Sequence, residues 1–234
     1  MAAKAIPSVW ARERETSQPV LSRAAIVREA IAMLDANGVE ALSMRKLGAR
    51  LNAGATSLYR HVANKDELME LAVDEVAAEI TVPVGGDWRA AATQAAGSFR
   101  ATALRHPWLA SVLGQAGLAY LGPNLMSVSE RLAALFTTAG FPDPSGAIDA
   151  VLSYVIGMST TEAAWLITVA RSGQSEADFV ARLMPAAQQA AAAYEHLAEA
   201  YQAAPPDPDP ARLRDIKFAN GLDIVLDGLA TRLP

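Results

Sequence analysis

Apolar side chains recur every three or four residues through most of the chain, a spacing that predicts helices rather than strands. In the first third, Ser22, Ser43 and Asn64 each precede such a run and are predicted to be helix N-caps. The first predicted helix ends at the Asn-Gly pair at 37–38. Glu67 follows Asn64 by three residues, which is the spacing of a capping box.

A tight turn separates two short helices in this region. The sequence Asn-Ala-Gly at 52–54 breaks the apolar pattern, and Asn52 tolerates the left-handed backbone conformation that a tight turn requires. A third helix over about 54–62 would direct Leu58 and Val62 inward. With the longer helix before them, these elements predict a helix-turn-helix.

The remainder of the chain also reads as helices only, so the predicted fold class is all-α. The segment Thr-Val-Pro-Val-Gly-Gly at 81–86 is the predicted boundary between two domains. Later helices are predicted to begin at Trp88, after Pro107, at Pro123, at Pro144 (to about 171), after Ser175 (to about 203) and at Pro210 (to about 232). The predicted organisation is an arm at 1–20, a first domain at 21–80 that contains the helix-turn-helix, and a second helical domain at 87–234.

Charge is distributed unevenly along the chain. The net charge is −5, yet residues 1–65 carry 10 Lys and Arg against 5 Asp and Glu, while residues 66–234 carry 10 against 20. This asymmetry favours a polyanionic partner for the first segment, although chance clustering would also produce it.

The composition also indicates the cellular compartment. The chain contains no Cys, which excludes disulfides and thiolate metal sites and suits a reducing cytoplasm. We expect neither a signal peptide nor a membrane span, because the longest stretch without Asp, Glu, Lys or Arg, at 106–129, contains Pro107 and several glycines.

Hydrogen-bond donors are concentrated around the third helix. With Leu58 and Val62 buried, the polar side chains would spread over a surface that fits a major groove about 12 Å wide. Lys65 would lie in the first turn of the fourth helix, where backbone N–H groups favour a phosphate. The candidate DNA-binding residues are Ser43, Arg45, Thr56, Ser57, Tyr59, Arg60, His61 and Lys65. For His61, packing against the first helix is an open alternative to contact with DNA.

The segment from Met44 to Val76 resembles the DNA-binding domain of the tetracycline-repressor (TetR) family of bacterial transcriptional regulators. The pattern L-Y-x-H-V-x-x-K-x-x-L, from Leu58 to Leu68, carries the resemblance. It implies phosphate contacts for Ser57, Tyr59 and Lys65, and contacts to base edges for Arg45, Thr56, Arg60 and His61. Asn52 and Ala53 stand where the family commonly has Gly-Val, and Ala55 offers at most an apolar contact.

Residues 88–165 resemble the ligand-binding domain of the subgroup closest to the tetracycline repressor itself. The segment 97–170 has few charged residues, and its large apolar side chains suit a lipophilic, drug-sized effector. The candidate ligand-binding residues are Phe99, Trp108, Leu113, Met126, Phe136, Tyr154, Met158, Glu162 and Trp165, with Asn124, Ser159 and Thr161 as further polar points. Taken singly, these apolar residues are also typical of a solid core.

We expect no metal and no cofactor, because no His lies in 107–195 and Glu162 is the only acid between Asp149 and Glu176. The members of the family that bind magnesium-chelated tetracycline use His and Glu in the pocket. This chain is therefore not expected to bind a chelated metal.

The resemblance also implies a homodimer, in which the last helix and the helix at 144–171 of each protomer form a four-helix bundle. Apolar residues at near-heptad spacing support this for the last helix. The candidate interface residues are Val151, Val155, Phe218, Leu222, Val225 and Leu229.

The predicted function is therefore a ligand-responsive repressor, released from a palindromic operator in double-stranded DNA by a lipophilic small molecule. The alternative is an all-α enzyme or small-molecule carrier whose first domain is purely structural. The segment Gly-Met-Ser-Thr-Thr at 157–161 lacks the second glycine of a nucleophile elbow, and the chain has no HExxH motif, so we predict no enzymatic activity.

Overall fold

The computed structural model describes residues 21–113, 121–203 and 209–234. These residues form helices and connecting turns without any strand, so the all-α prediction is confirmed. The predicted arm at 1–20 lies outside the described residues. The helices are α1 (Arg23–Asn37), α2 (Met44–Arg50), α3 (Ala55–Leu58), α4 (Lys65–Ala77), α5 (Trp88–Arg105), α6 (Pro107–Leu113), α7 (Pro123–Thr138), α8 (Pro144–Ser172), α9 (Glu176–Ala191), α10 (Glu195–Ala203) and α11 (Pro210–Ala230), with a short 3-10 turn at Val39–Ala41.

Most of the helices begin at a residue whose side chain caps the first turn, as the sequence predicted. Ser22 Oγ accepts from the N–H of Ala25 at 3.2 Å, and Asn64 Oδ1 accepts from the N–H of Glu67 at 2.8 Å. Such a cap satisfies one of the backbone donors that the first helical turn leaves without a partner. The same arrangement occurs at Ser43, Asp87, Asp143, Ser175 and Asp209.

Two predicted helices differ from the observed ones. The third helix ends at Leu58 rather than near 62, because the N–H groups of His61 and Val62 both turn back to the Leu58 carbonyl and tighten the last turn. The helix expected after Ser175 to about 203 is divided into α9 and α10 by a turn at 192–194.

Helices α1 to α4 share one core with α6. Leu34, Leu47 and Leu58 are fully buried in it, and Trp108 and Leu109 of α6 pack into the same cluster. Trp108 also donates from Nε1 to Asp35 Oδ1 of α1 at 2.7 Å. Although the loop at 81–86 follows α4 as predicted, the division into domains at that loop stays a prediction, since α6 packs across it.

In the second half of the chain, α8 is the central helix and packs against α5, α6, α7, α9 and α11. Within the described residues it is also the one helix that is long and apolar enough, by length and composition, to cross a membrane. The sequence expectation overlooked it because Asp149 and Glu162 interrupt its apolar stretch. Its packing against five other helices and its buried Glu162 are features of the core helix of a globular domain.

Candidate DNA-binding surface and ligand cavity

The turn between α2 and α3 is built on a close approach of backbone to backbone. Asn52 has a φ of 51°, as its residue type predicts, and the N–H of Ala53 donates to the Gly48 carbonyl at 2.8 Å. A Cβ atom on Gly48 would lie 2.6 Å from the Ala53 carbonyl oxygen, so only glycine fits there. Gly48 thus fixes the angle between α2 and α3, a role that the sequence analysis missed because the contact reaches five residues along the chain.

The polar face of α3 and of the following turn is open to solvent. Leu58 and Val62 are buried as predicted, whereas Thr56 and Arg60 are exposed and the Tyr59 side chain is 50% exposed. The remaining candidates are also at the surface: Arg45 is exposed, and Ser43, Ser57, His61 and Lys65 are half-buried.

Two basic side chains, Arg23 and Lys65, donate hydrogen bonds to backbone carbonyl groups at this surface. Arg23 of α1 donates from Nε to the His61 carbonyl oxygen at 3.1 Å and lies 3.7 Å from Glu67. Lys65 donates from Nζ to the carbonyl oxygen of Val39 at 3.3 Å. The backbone of His61 is therefore held by α1, a contact that sequence spacing did not reveal. The predicted phosphate contact of Lys65 stays a prediction.

An apolar cavity of about 410 Å³ lies between α5, α7 and α8. Among the described residues that line it, only Ser129 is polar, and its hydroxyl donates to the Leu125 carbonyl at 2.9 Å. None of the described residues that line the cavity is charged. The lining consists of Ile80, Val82, Ala92, Ala95, Ala96, Phe99, Leu113, Leu121, Leu125, Met126, Val128, Ser129, Leu132, Phe136, Val151, Leu152, Val155 and Ile156.

Four of the nine predicted ligand-binding residues line this cavity, namely Phe99, Leu113, Met126 and Phe136. The sequence analysis selected large side chains and so missed the alanines of α5, which leave the space that the cavity occupies. Their spacing at 92, 95 and 96, one helical turn before Phe99, was the available signal.

The other predicted ligand-binding residues are placed elsewhere. Trp108 is buried in the core that α6 shares with α1. Tyr154 donates its hydroxyl proton to the Phe218 carbonyl at 2.8 Å, and burial raises the pKa of this phenol. Met158, Glu162 and Trp165 face a separate cavity of about 300 Å³ beside α11, together with Thr161, Arg214 and Lys217.

Glu162 is the centre of a charged cluster rather than a polar point of the main cavity. Its carboxylate accepts from Arg100 Nε and Nη2, both at 2.7 Å, and from Arg214 Nε at 2.9 Å. Arg100 also contacts Asp215 at 2.8 Å, and Arg214 pairs with Glu176. Burial by itself would raise the pKa of Glu162, but the hydrogen bonds from Arg100 and Arg214 outweigh it and lower the pKa.

Two of the suggested polar points are also outside the main cavity. Asn124 contacts Asp74 of α4, at the start of α7. Ser159 is fully buried, and its hydroxyl has no hydrogen-bond partner among the described residues. Within the same residues there is no group of three His, Cys, Asp or Glu side chains that would hold a metal ion.

Four of the predicted dimer residues are buried inside the protomer. Val151 and Val155 line the cavity, while Phe218 and Leu222 face α8. Val225 and Leu229 are half-buried and pack against the same core. The predicted dimer interface stays a prediction. The exposed apolar side chains of α11 are Leu213, Ile216 and Ile224, which lie on the opposite face of the helix.

A solvent-open helix-turn-helix joined to a helical domain with an apolar cavity defines a DNA-binding transcriptional regulator with a ligand domain. The family model described as "Bacterial regulatory proteins, tetR family" matches residues 26–72, and the model described as "Tetracyclin repressor-like, C-terminal domain" matches residues 83–233. The chain belongs to the tetracycline-repressor family of bacterial transcriptional regulators.

Individual relatives agree with this assignment. An HTH-type transcriptional regulator of Saccharopolyspora erythraea is 42% identical over 164 residues, covering 68% of this chain and 69% of the relative. The HTH-type transcriptional repressor DrrR1 of Streptomyces coeruleorubidus is 34% identical over 185 residues, covering 76% and 68%. The crystal structure of the TetR family protein ActR from Streptomyces coelicolor in complex with actinorhodin superposes with a TM-score of 0.73 at 30% identity, covering 90% of this chain and 96% of ActR.

Repressors of this family bind operator DNA, form dimers and bind small-molecule ligands. The relatives are transcriptional regulators and not enzymes, so the alternative of an enzyme with a structural first domain is set aside. The assignment of the open polar face of α3 to DNA contact stays a prediction.

Proposed function

We propose that this protein is a dimeric repressor that leaves a palindromic operator when an uncharged, lipophilic small molecule fills the cavity between α5, α7 and α8. The observation that carries the proposal is the cavity itself. Its volume of about 410 Å³ suits a drug-sized ligand, and the Ser129 hydroxyl is the only polar side-chain group among the described residues that line it.

The lining restricts the chemistry of the effector. A carboxylate or ammonium group in this cavity would lose its hydration without gaining a counter-charge, which is strongly unfavourable. A flat aromatic molecule with few polar groups avoids that cost, and it can donate one hydrogen bond to Ser129 Oγ. ActR, whose chain is 30% identical, was crystallised with actinorhodin, which supports a small-molecule effector for this chain as well.

On the DNA side, α3 enters the major groove. Thr56, Arg60 and His61 then face base edges together with Arg45 of α2, while Ser57, Tyr59 and Lys65 face phosphates. Ser43 caps α2, so that its free N–H groups are directed toward the DNA backbone. In a two-fold dimer, the recognition helices enter successive major grooves roughly 34–36 Å apart.

The dimer forms through the exposed face of α11. Leu213, Ile216 and Ile224 are solvent-exposed at spacings of three and eight residues, which places them along one side of the helix. A second copy of the chain removes these side chains from water.

Release from DNA is a shift between two conformations. The effector must bind more tightly to the conformation whose recognition helices no longer fit successive grooves. Since DNA is the target, we place the protein in the cytoplasm of its host.

An electrophoretic shift with the DNA immediately upstream of its own gene tests the proposal. We expect a dimer–DNA complex in the absence of ligand, and its dissociation by the neutral dye Nile red. Arg60→Ala serves as the control for DNA contact. Ligand binding without any DNA binding would favour a carrier and overturn the repressor proposal, and release by strongly anionic ligands alone would overturn the apolar effector.

A further inference from the structure

The N-terminus of α7 is capped by a residue of another helix. Asp74 of α4 accepts through Oδ1 from the backbone N–H groups of Asn124 and Leu125, each at 2.9 Å, and through Oδ2 from Asn124 Nδ2 at 3.1 Å. The N-cap residue Gly122 supplies no side-chain cap. The donors of the first turn of α7 are therefore satisfied from α4.

The contact continues one turn earlier on α4 and is sterically close. Glu70 Oε1 accepts from the N–H of Leu121 at 3.3 Å. A Cβ atom on Gly122 would lie 2.2 Å from the Asp74 carboxyl carbon, so the approach of the two helices requires glycine at this position. Two carboxylates and a glycine thus join α4 to the start of α7.

The residues held by this joint also line the cavity. Leu121, Leu125 and Met126 all face it. Leu125 contributes twice, because its backbone N–H binds Asp74 while its side chain packs against the core of α1 to α4. A ligand that displaces the first two turns of α7 must therefore move the atoms that Asp74 binds.

Helix α4 connects the joint to the DNA-binding surface. From Asp74 to Lys65 the helix runs about 14 Å, at 1.5 Å per residue. Its first turn is bonded to the DNA-facing segment, since Glu67 accepts from the N–H of Ala63 at 2.5 Å. A rigid helix bonded at both ends transmits a displacement from one end to the other.

We infer that Asp74 is the positioning residue through which occupation of the cavity moves α4, and that Glu70 and Gly122 complete this joint. The inference rests on the proposed function, because it assumes that the cavity binds the effector. Asp74 touches neither ligand nor DNA in this scheme, so its removal separates binding from response.

Hydrogen exchange measured by mass spectrometry tests the joint, with Nile red as the probe. In the wild-type protein we expect Nile red to change the exchange rate of residues 65–77 by about fivefold or more, a typical coupling strength. In Asp74→Ala we expect Nile red to bind with a similar Kd, α4 to show no response, and the Asn124 and Leu125 amides to exchange faster without ligand.

Three further variants separate coupling from a merely structural role. Asp74→Asn keeps an oxygen acceptor and should retain the response, and the exposed Glu75→Ala is the control on α4. Gly122→Ala should abolish the response by forcing the helices apart. Asp74→Gly combined with Gly122→Ala removes the steric clash, so it should restore thermal stability but not the response.

A response of α4 in Asp74→Ala equal to that of the wild type would overturn the inference, as would unchanged exchange at Asn124 and Leu125. If Nile red does not bind the wild-type protein, the proposal of a lipophilic effector fails instead. In that case Ala95→Trp fills the cavity without a ligand. Ala95→Trp should change the hydrogen-exchange rate of residues 65–77, and this change should disappear when Ala95→Trp is combined with Asp74→Ala. If the change persists in the double variant, the inference about Asp74 is wrong.

Discussion

Arg100 and Glu162 form a bidentate ion pair, in which Nε and Nη2 of the guanidinium each donate to one carboxylate oxygen at 2.7 Å. The Glu162 side chain is 8% exposed, and the guanidinium of Arg100 also lies 4.9 Å from the centre of the Phe218 ring. The pair joins α5 to α8, and Arg214 of α11 adds a third bond to the same carboxylate.

Replacing Glu162 with Ala should destabilise the protein by about 3 kcal/mol, because it leaves two partly buried guanidinium groups without their shared counter-charge. Urea unfolding of the dimer measures this loss. Asp227→Ala is the matched control, since it removes a carboxylate that is 2.7 Å from Arg89 in an exposed pair, and exposed pairs contribute little. Equal effects of the two substitutions would show that the Glu162 cluster is no more important than a surface pair.

The contribution of Glu162 should depend on pH in a defined direction. Its pKa in the folded protein is below the usual value of 4.5, so its stabilisation is complete above pH 4.5 and is lost as the pH falls through the lowered pKa. The stability difference between wild type and Glu162→Gln should therefore be constant from pH 7 to pH 5 and shrink below 4.5. Thermal unfolding across this range measures it, and a difference that grows on acidification contradicts the assignment.

Arg45→Ala and Lys65→Ala should weaken DNA binding in different ways. Loss of Arg45 should cost about 1–3 kcal/mol at one base position per half-site and relax the sequence preference. Loss of Lys65 should weaken binding to all sequences and reduce the slope of log K against log salt by about one. Titrations at several salt concentrations distinguish the two, with the distant Arg232→Ala as control. If neither substitution changes affinity, α2 and α3 do not form the DNA-binding surface as described.

Ile224→Glu should dissociate the dimer without unfolding the protomer. Ile224 is 72% exposed in the single chain, so a glutamate there is solvated when the partner leaves. Leu222 is 2% exposed, and Leu222→Glu should instead unfold the chain by burying an unpaired charge. Sedimentation velocity and circular dichroism separate the outcomes. A dimeric Ile224→Glu variant would place the interface on another surface.

Ala95→Trp should abolish binding of lipophilic probes, because the indole occupies space between α5 and α7 that the alanine leaves open. Ala101→Trp, at an exposed position of the same helix, is the control for the added aromatic surface. Fluorescence titration with Nile red measures the difference. Unchanged binding in Ala95→Trp would mean that the probe binds outside this cavity.

The helix starts and the turn of the helix-turn-helix could be predicted from the sequence, because they depend on local interactions. Ser22, Ser43 and Asn64 cap helices because each bonds a backbone N–H only three residues away, and Asn52 adopts its left-handed conformation because its residue type permits it. These features depend on neighbours along the chain. They determined the helix-turn-helix and, with the motif from Leu58 to Leu68, the family.

Tertiary structure alone decided which sides of α8 and α11 face inward. Helix α8 is apolar on several sides, so its periodicity does not distinguish the cavity at Val151 and Val155 from a dimer interface. The same applies to Leu222 and Ile224, two residues apart on α11 with opposite burial. Contacts such as Asp74 to the start of α7, or Glu162 to Arg100, join residues 50 and 62 positions apart, and a helical pattern specifies that a face is apolar or charged but not which distant element it meets.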